Sequence, residues 1–253
     1  MVLIEEAQLL TWLSALLMPL FRLLGIFTSA PVLSTRAVPV RVRVTMAFVL
    51  AMLAAPLAQT PPPSFDDPDI WALLASEIMI GLAIGLVTRM MLAAVEMAGE
   101  IIGLQMGLSF AAFFDHTTNN NTNAIGRLFN AISTASFVVI GGPSLLIAVT
   151  IRSIEQMPAA EGTQQFLARV DIGAVAAQVF EMGLLLALPY MALLLFINLS
   201  LGIVSRVAPQ LNVFAIGFPI TISAGLLLLT FGMPMLSHPI AQVQQALFSI
   251  IGF

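Results

Sequence analysis

The chain has 253 residues, of which 59% are hydrophobic and 9% charged, far from the roughly 45–50% and about 25% of soluble domains. Nine basic and thirteen acidic residues cannot clothe a soluble fold of this size, and a mean hydropathy of +1.03 marks an integral membrane protein. A net charge of −4, with every basic residue an Arg, leaves no basic face for nucleic acid. The absence of Cys excludes disulfides, iron–sulfur clusters, thiolate zinc sites and thiol nucleophiles.

At the N-terminus Glu5 and Glu6 precede the first apolar run and the first positive charge is Arg22. That is the reverse of a secretory leader, so this segment is expected to stay in the mature protein as a membrane-embedded element. Apolar blocks follow at about 7–33, 44–60, 70–113, 124–151, 172–204 and 212–236. They are rich in Leu, Ala, Met and Ile without period-two alternation, which in hydrocarbon favours helices over barrel strands. The expected fold is an all-α multi-helix membrane protein, a single domain over 1–253.

Block 70–113 would extend roughly 66 Å as one helix, against a hydrocarbon core of ~30 Å, so it is expected to break or to protrude. It carries Glu77, Arg89, Glu96 and Glu100. At about 100° per residue, positions 89, 96, 100 and 107 fall within about 20° of one line, with Gly103 beside them. Gly99, Gly103 and Gly107 recur every fourth position, a spacing that admits a second backbone. This polar, small-residue stripe of Arg89, Glu96, Glu100, Gly103 and Gly107 reads as an intramolecular helix contact with an internal ion pair, or as a subunit interface or aqueous-path lining.

The linkers differ in charge. Segment 34–43 holds Arg36, Arg41 and Arg43, and 61–69 holds three Asp and four Pro; the positive-inside rule puts the first in the cytoplasm and the second outside. If each block crosses once, both termini lie outside.

The sequence carries no chemistry of a recognisable enzyme. His116 and His238 are the only histidines and neither has ligand spacing. No Lys is available for a phosphate loop or Schiff base, and no GxSxG or GxGxxG occurs. No cofactor is expected. Asp115 is in a polar loop and Asp66, Asp67, Asp69 and Asp171 are in linkers, which does not fit a carboxylate pair facing across a core. Glu181, alone in its block, reads as a structural or interfacial group before a proton carrier.

Two polar segments interrupt the apolar landscape. Phe114 to Asn123, FDHTTNNNTN, is built from residues that hydrogen-bond locally and favour turns, an ordinary exposed turn on its face. Ser205 to Ile220 places Arg206, Pro209, Gln210 and Asn212 between two apolar blocks. Pro209 cannot continue a helix, and Gln210 and Asn212 can satisfy the freed backbone, so a structured break is expected at or near the membrane.

This last segment, Arg206-Val-Ala-Pro209-Gln210-Leu-Asn212-Val-Phe214 followed by Gly217-Phe-Pro219, closely resembles the signature of the FliR family of type III export-gate proteins. Arg22, Gly25, Phe27, Pro31, Pro39 and Arg41 resemble that family's first helix and basic loop. Glu77, Gly81, Gly85, Gly99, Gln105, Gly107 and Asp115 resemble its central tract, in the same order. Two positions depart from the pattern: His116 stands where many relatives have Pro, and Gly141-Gly142-Pro143-Ser144 where relatives often have an Asn-Gly-His-like stretch.

The resemblance implies a non-enzymatic subunit of the flagellar export gate in the bacterial inner membrane, at the flagellar basal body. Its implied partners are FliP-like and FliQ-like gate subunits and FlhB-like and FlhA-like export proteins, with unfolded flagellar subunits in transit. It also implies a FliP-like part followed by a FliQ-like helical hairpin, much of it above the usual bilayer plane, so that apolar blocks buried against partners need not cross lipid. For Phe114, Asp115, His116, Thr117, Asn119, Asn120 and Asn121 it implies part of a plug in the closed gate. The injectisome branch of the same family is the alternative. A secondary transporter, suggested by Glu77, Arg89, Glu96 and Glu100 and by Pro189 and Pro219, is the reading from a different class.

Overall fold

A computed structural model describes residues 6–58, 67–108, 123–156, 171–208 and 213–251. Among these residues the chain forms seven α-helices and no strand: α1 Glu6–Ser29, α2 Val40–Ala54, α3 Ile70–Gln105, α4 Ala124–Val139, α5 Gly142–Gln156, α6 Ile172–Val207 and α7 Val213–Ile251. A 3-10 turn, Ala55–Leu57, extends α2. The expected all-α membrane fold is what the chain adopts. Thr11–Ser29, Val40–Leu57, Ile70–Gln105 and Ile172–Val207 are each long and apolar enough to cross a membrane.

Block 70–113, expected to break or to protrude, forms α3, which runs unbroken for 36 residues, about 54 Å at ~1.5 Å per residue and so longer than a ~30 Å hydrocarbon core. One block boundary differs from expectation. The 124–151 block is two helices, because Gly141 takes φ +79°. Pro143 then sits in the first turn of α5, where a missing N–H costs no intrahelical bond. Gly142 makes room for the Phe137 ring, into which any Cβ there would run.

The chain divides into two compact units. The first comprises residues 1–90, 137–175 and 247–253. Its core is built on α1: Leu23, Ile26 and Phe27 are buried, and α2 lays Ala47, Ala51 and Ala54 inward at helical spacing. The remaining faces of α2 expose Val42, Phe48, Val49, Met52 and Leu53, an apolar surface suited to lipid or to another protein and not to water. Helix α3 meets α1 backbone to backbone. A Cβ on Gly25 would lie 2.6 Å from the Ile78 carbonyl, and one on Gly81 would run into the Arg22 carbonyl.

That close approach holds a buried charge pair. Arg22 Nε donates to Glu77 Oε2 at 2.5 Å and Nη2 to Oε1 at 2.9 Å, with the two residues 1% and 3% exposed. Arg22 Nη1 donates to Ser153 Oγ on α5 at 3.1 Å, and Ser153 donates onward to the Thr150 carbonyl at 2.6 Å. A bidentate guanidinium–carboxylate pair with the third guanidinium nitrogen also hydrogen-bonded is the arrangement in which a buried charge is tolerated. In the turn between α1 and α2, Arg43 donates to the carbonyls of Thr35 and Val38, whereas Arg36 and Arg41 are exposed.

The second unit comprises residues 91–136 and 176–246. The second half of α3 buries Met91, Ala94, Val95, Ala98 and Ile102, with Ile125 and Phe129 of α4 and Leu186, Tyr190 and Leu194 of α6 also in its core. Gln244 on α7, 1% exposed, donates to the Ser133 carbonyl of α4 at 3.4 Å and accepts from Ser136 at 3.4 Å.

Candidate functional site

The polar stripe, the end of the polar loop and part of the family signature meet at the C-terminal end of α3, within the second unit. The last carbonyls of an α-helix have no intrahelical donor, and in an apolar setting each needs a partner from elsewhere. Here they are all satisfied. Met106 N–H donates to Ile102 at 3.0 Å, Leu108 N–H to Gly103 at 3.1 Å and Gly107 N–H to Leu104 at 3.0 Å. This 6→1 and 5→2 pairing around Gly107, which has φ +81°, is the Schellman arrangement that favours glycine. The next two carbonyls face side chains from other helices: Asn198 Nδ2 of α6 donates to Gln105 at 3.3 Å, and the Thr221 hydroxyl of α7 has its one proton shared between the Met106 carbonyl at 3.2 Å and the Phe218 carbonyl of its own helix at 3.1 Å. Side chains of two other helices therefore converge on one helix end.

The chain returns to the same place. Asn123 donates its backbone N–H to Glu100 Oε1 at 2.9 Å and its side-chain Nδ2 to the Glu100 carbonyl at 3.0 Å. Its Oδ1 accepts from Gly126 N–H at 2.8 Å, the N-cap bond that starts α4. A Cβ on Gly103 would run into the Asn123 amide, and one on Gly126 into the Glu100 carboxylate. Segment 109–122 thus departs from Leu108, bonded to the Gly103 carbonyl, and comes back at Asn123, packed on the Gly103 Cα. One turn further back, Glu96 accepts from Asn130 Nδ2, and Thr134 Oγ1 donates to Asn130 Oδ1 at 3.3 Å. Asn123, Arg127, Asn130 and Thr134 share one face of α4 at helical spacing.

The sequence-level candidates distribute as follows. Glu96, Glu100 and Gly103 lie together in the α3–α4 contact, whereas Gly107, beyond the end of α3, faces Phe218 of α7. Arg89 is exposed and forms no ion pair with Glu96 or Glu100 among the described residues; its stretch of α3 belongs to the other unit. Of the signature, Arg206 is exposed in the last turn of α6, Gly217 is buried and Pro219 exposed near the start of α7. Pro209, Gln210 and Asn212 lie outside the described residues, as do Phe114, Asp115, His116, Thr117, Asn119, Asn120 and Asn121; of the Phe214 side chain nothing is described. Glu181 is exposed on α6 and not buried within the chain.

Sequence reading missed Phe218, whose ring atoms would lie 2.8 Å from a Cβ on Gly107, so the signature's Gly-Phe-Pro abuts the Schellman turn. It also missed Asn123 as a cap. The signal for that was present, since an Asn opening an amphipathic run is an N-cap pattern. The partners of Gln105 and Met106 leave no trace in local sequence.

A family model for bacterial export proteins, family 1, matches residues 13–247. The chain belongs to this family. The flagellar biosynthetic protein FliR of Escherichia coli strain K12 is 36% identical over 252 residues, 98% of this chain and 95% of that protein. The protein of the same name in Pectobacterium carotovorum subsp. carotovorum is 37% identical over 90% of this chain and 88% of its own length. The one in Bacillus subtilis strain 168 is 30% identical over 85% and 84%. For a FliR-family protein, the site described above spans the tract and the signature on which the family resemblance rests.

Proposed function

We propose that this FliR-family chain is a non-enzymatic subunit of the flagellar protein export gate. In this reading it helps form the channel through which unfolded flagellar subunits cross the bacterial inner membrane at the basal body. FliP-like and FliQ-like chains are its gate partners, and FlhB-like and FlhA-like proteins its neighbours. The observation that carries the reading is the family match over residues 13–247, with relatives named for flagellar biosynthesis. The transporter reading loses one of its motives, because the Glu77 carboxylate is compensated by Arg22.

The polar loop from Phe114 to Asn123 is the proposed plug. What supports this is its base: the chain departs from Leu108 and returns at Asn123, both held on the last turn of α3.

Purifying the tagged chain with its co-expressed genomic neighbours in mild detergent, then weighing the intact complex, tests the assignment. An assembly with FliP-like and FliQ-like chains is expected; a clean monomer or homodimer refutes it. Deleting 117–122 is expected to leave assembly intact and to leak small ions, and a tight membrane removes the plug. Pro209→Leu and Asn212→Leu are expected to reduce co-purification of partners.

A further inference from the structure

Phe218, Thr221 and Gly225, at positions i, i+3 and i+7, share one face of α7. Each meets a different group at the end of α3. The Met106 side chain, 0% exposed, lies over the Gly225 Cα, where a Cβ would stand 2.5 Å from Met106 Cγ and 2.6 Å from Sδ. The Thr221 hydroxyl is 3.2 Å from the Met106 carbonyl, and the Phe218 ring covers the Gly107 Cα. One stripe of α7 thus meets the last buried side chain of α3, its carbonyl and the Cα that follows.

A Schellman turn has a fixed backbone course, so holding Met106 and Gly107 also fixes the direction in which the chain leaves at Leu108, whose N–H is bonded to the Gly103 carbonyl at 3.1 Å. The point of return is held differently. Asn123 is bonded to Glu100 of α3 and to Gly126 of α4, and among the described residues no hydrogen bond from α7 reaches it. At the departure, shape matters more than bond strength. Thr221 shares its proton with the Phe218 carbonyl of its own helix, so its bond to Met106 is the replaceable part. The Met106 side chain, by contrast, fits against α7 only where a residue without a side chain lets it approach the backbone.

We propose that the signature residue Phe218 acts inside the chain: with Thr221 and Gly225 it positions the end of α3, and with it the departure of the chain at Leu108. Phe218 and Gly225 are positioning residues, and Met106 and Gly107 are what they position. The inference rests on these contacts and not on the plug or export-gate reading.

The test is amide hydrogen exchange on the full chain, resolved to single residues by electron-transfer fragmentation. It is made in the assembly recovered with co-expressed partners or, if the chain purifies alone, on the chain by itself, so that failure of the gate reading leaves it intact. Gly225→Val is expected to expel the Met106 side chain and to speed exchange at 106–108 roughly tenfold or more. Exchange over 124–127 is expected to stay at the wild-type rate, because that anchor does not touch α7. Met106→Ala combined with Gly225→Val removes atoms on one side of the contact as it adds them on the other, and is expected to return 106–108 to within about threefold of wild type. Phe218→Ala is expected to speed exchange at 107–108 with unchanged recovery of partners. If Gly225→Val is not recovered, Gly225→Ala takes its place. Unchanged exchange at 106–108 in the Gly225 variant overturns the proposal, as does equal acceleration over 124–127, which is general loosening, or a double variant that exchanges as fast as the single. Loss of partners in Phe218→Ala with unchanged exchange at 107–108 overturns it too, and assigns that residue to a subunit interface.

Discussion

Asn123 donates both its backbone N–H and its side-chain amide to Glu100, so the residue that ends segment 109–122 is tied to the helix from which that segment departs. The same side chain caps α4 through Gly126 N–H. Three bonds from one residue make it the clearest point at which to separate the stem of the segment from the segment itself.

Asn123→Ala removes the cap and the side-chain bond to the Glu100 carbonyl and leaves the backbone bond, with an expected loss of about 1–2 kcal/mol. Asn123→Asp keeps an acceptor for Gly126 but places a second carboxylate beside Glu100, so it is expected to be at least as damaging. Hydrogen exchange over 124–127 in the purified assembly reads the effect; protection equal to wild type in both variants removes the cap from the account.

Gly107 is constrained twice, by its left-handed φ of +81° and by the Phe218 ring 2.8 Å from where a Cβ would stand. Gly107→Ala is expected to cost about 1–2 kcal/mol from the backbone alone, plus the clash. Phe218→Ala relieves only the second part. The double variant should therefore be more stable than the sum of the singles, and strict additivity in thermal unfolding would show that ring and turn are not coupled.

The Arg22–Glu77 pair predicts an asymmetry. Arg22→Ala strands a buried carboxylate and is expected to cost about 3–5 kcal/mol, whereas Arg22→Met with Glu77→Leu removes both charges and should recover most of that loss. The thermal midpoint of the detergent-purified assembly measures both. A double variant no better than Arg22→Ala would mean that the charges do more than satisfy one another.

At the α1–α3 contact, Gly81→Leu drives a side chain into the Arg22 carbonyl. Overpacking of this kind costs about 1–3 kcal/mol or more, so steady-state levels of the protein are expected to fall. Gly202→Leu on α6 is the control, because nothing lies within 4 Å of a Cβ there. Comparable levels of the two variants in membrane fractions would show that α1 and α3 part without penalty.

The fold class was legible because it depends on sums over long windows: 59% hydrophobic residues in runs too long for soluble helices settle the membrane and the helix together. The signature from Arg206 to Pro219 was legible because its residues are contiguous, and of the stripe of Arg89, Glu96, Glu100, Gly103 and Gly107 helical geometry places Glu96, Glu100 and Gly103 against α4, whereas Arg89 is exposed in the other unit and Gly107 lies beyond the helix in a left-handed turn. Gly141 shows the limit of such windows. Its apolar neighbours kept 124–151 in one block, although one residue in the left-handed region is enough to divide it. Pairings across the chain were decided only by tertiary structure. Arg22 and Glu77 lie 55 positions apart, and nothing local distinguishes Glu77 from the other carboxylates of α3. The donors to Gln105 and Met106, Asn198 and Thr221, sit 93 and 115 positions away. A helix end in an apolar setting requires partners for its carbonyls, but which side chains supply them is settled by how the helices pack.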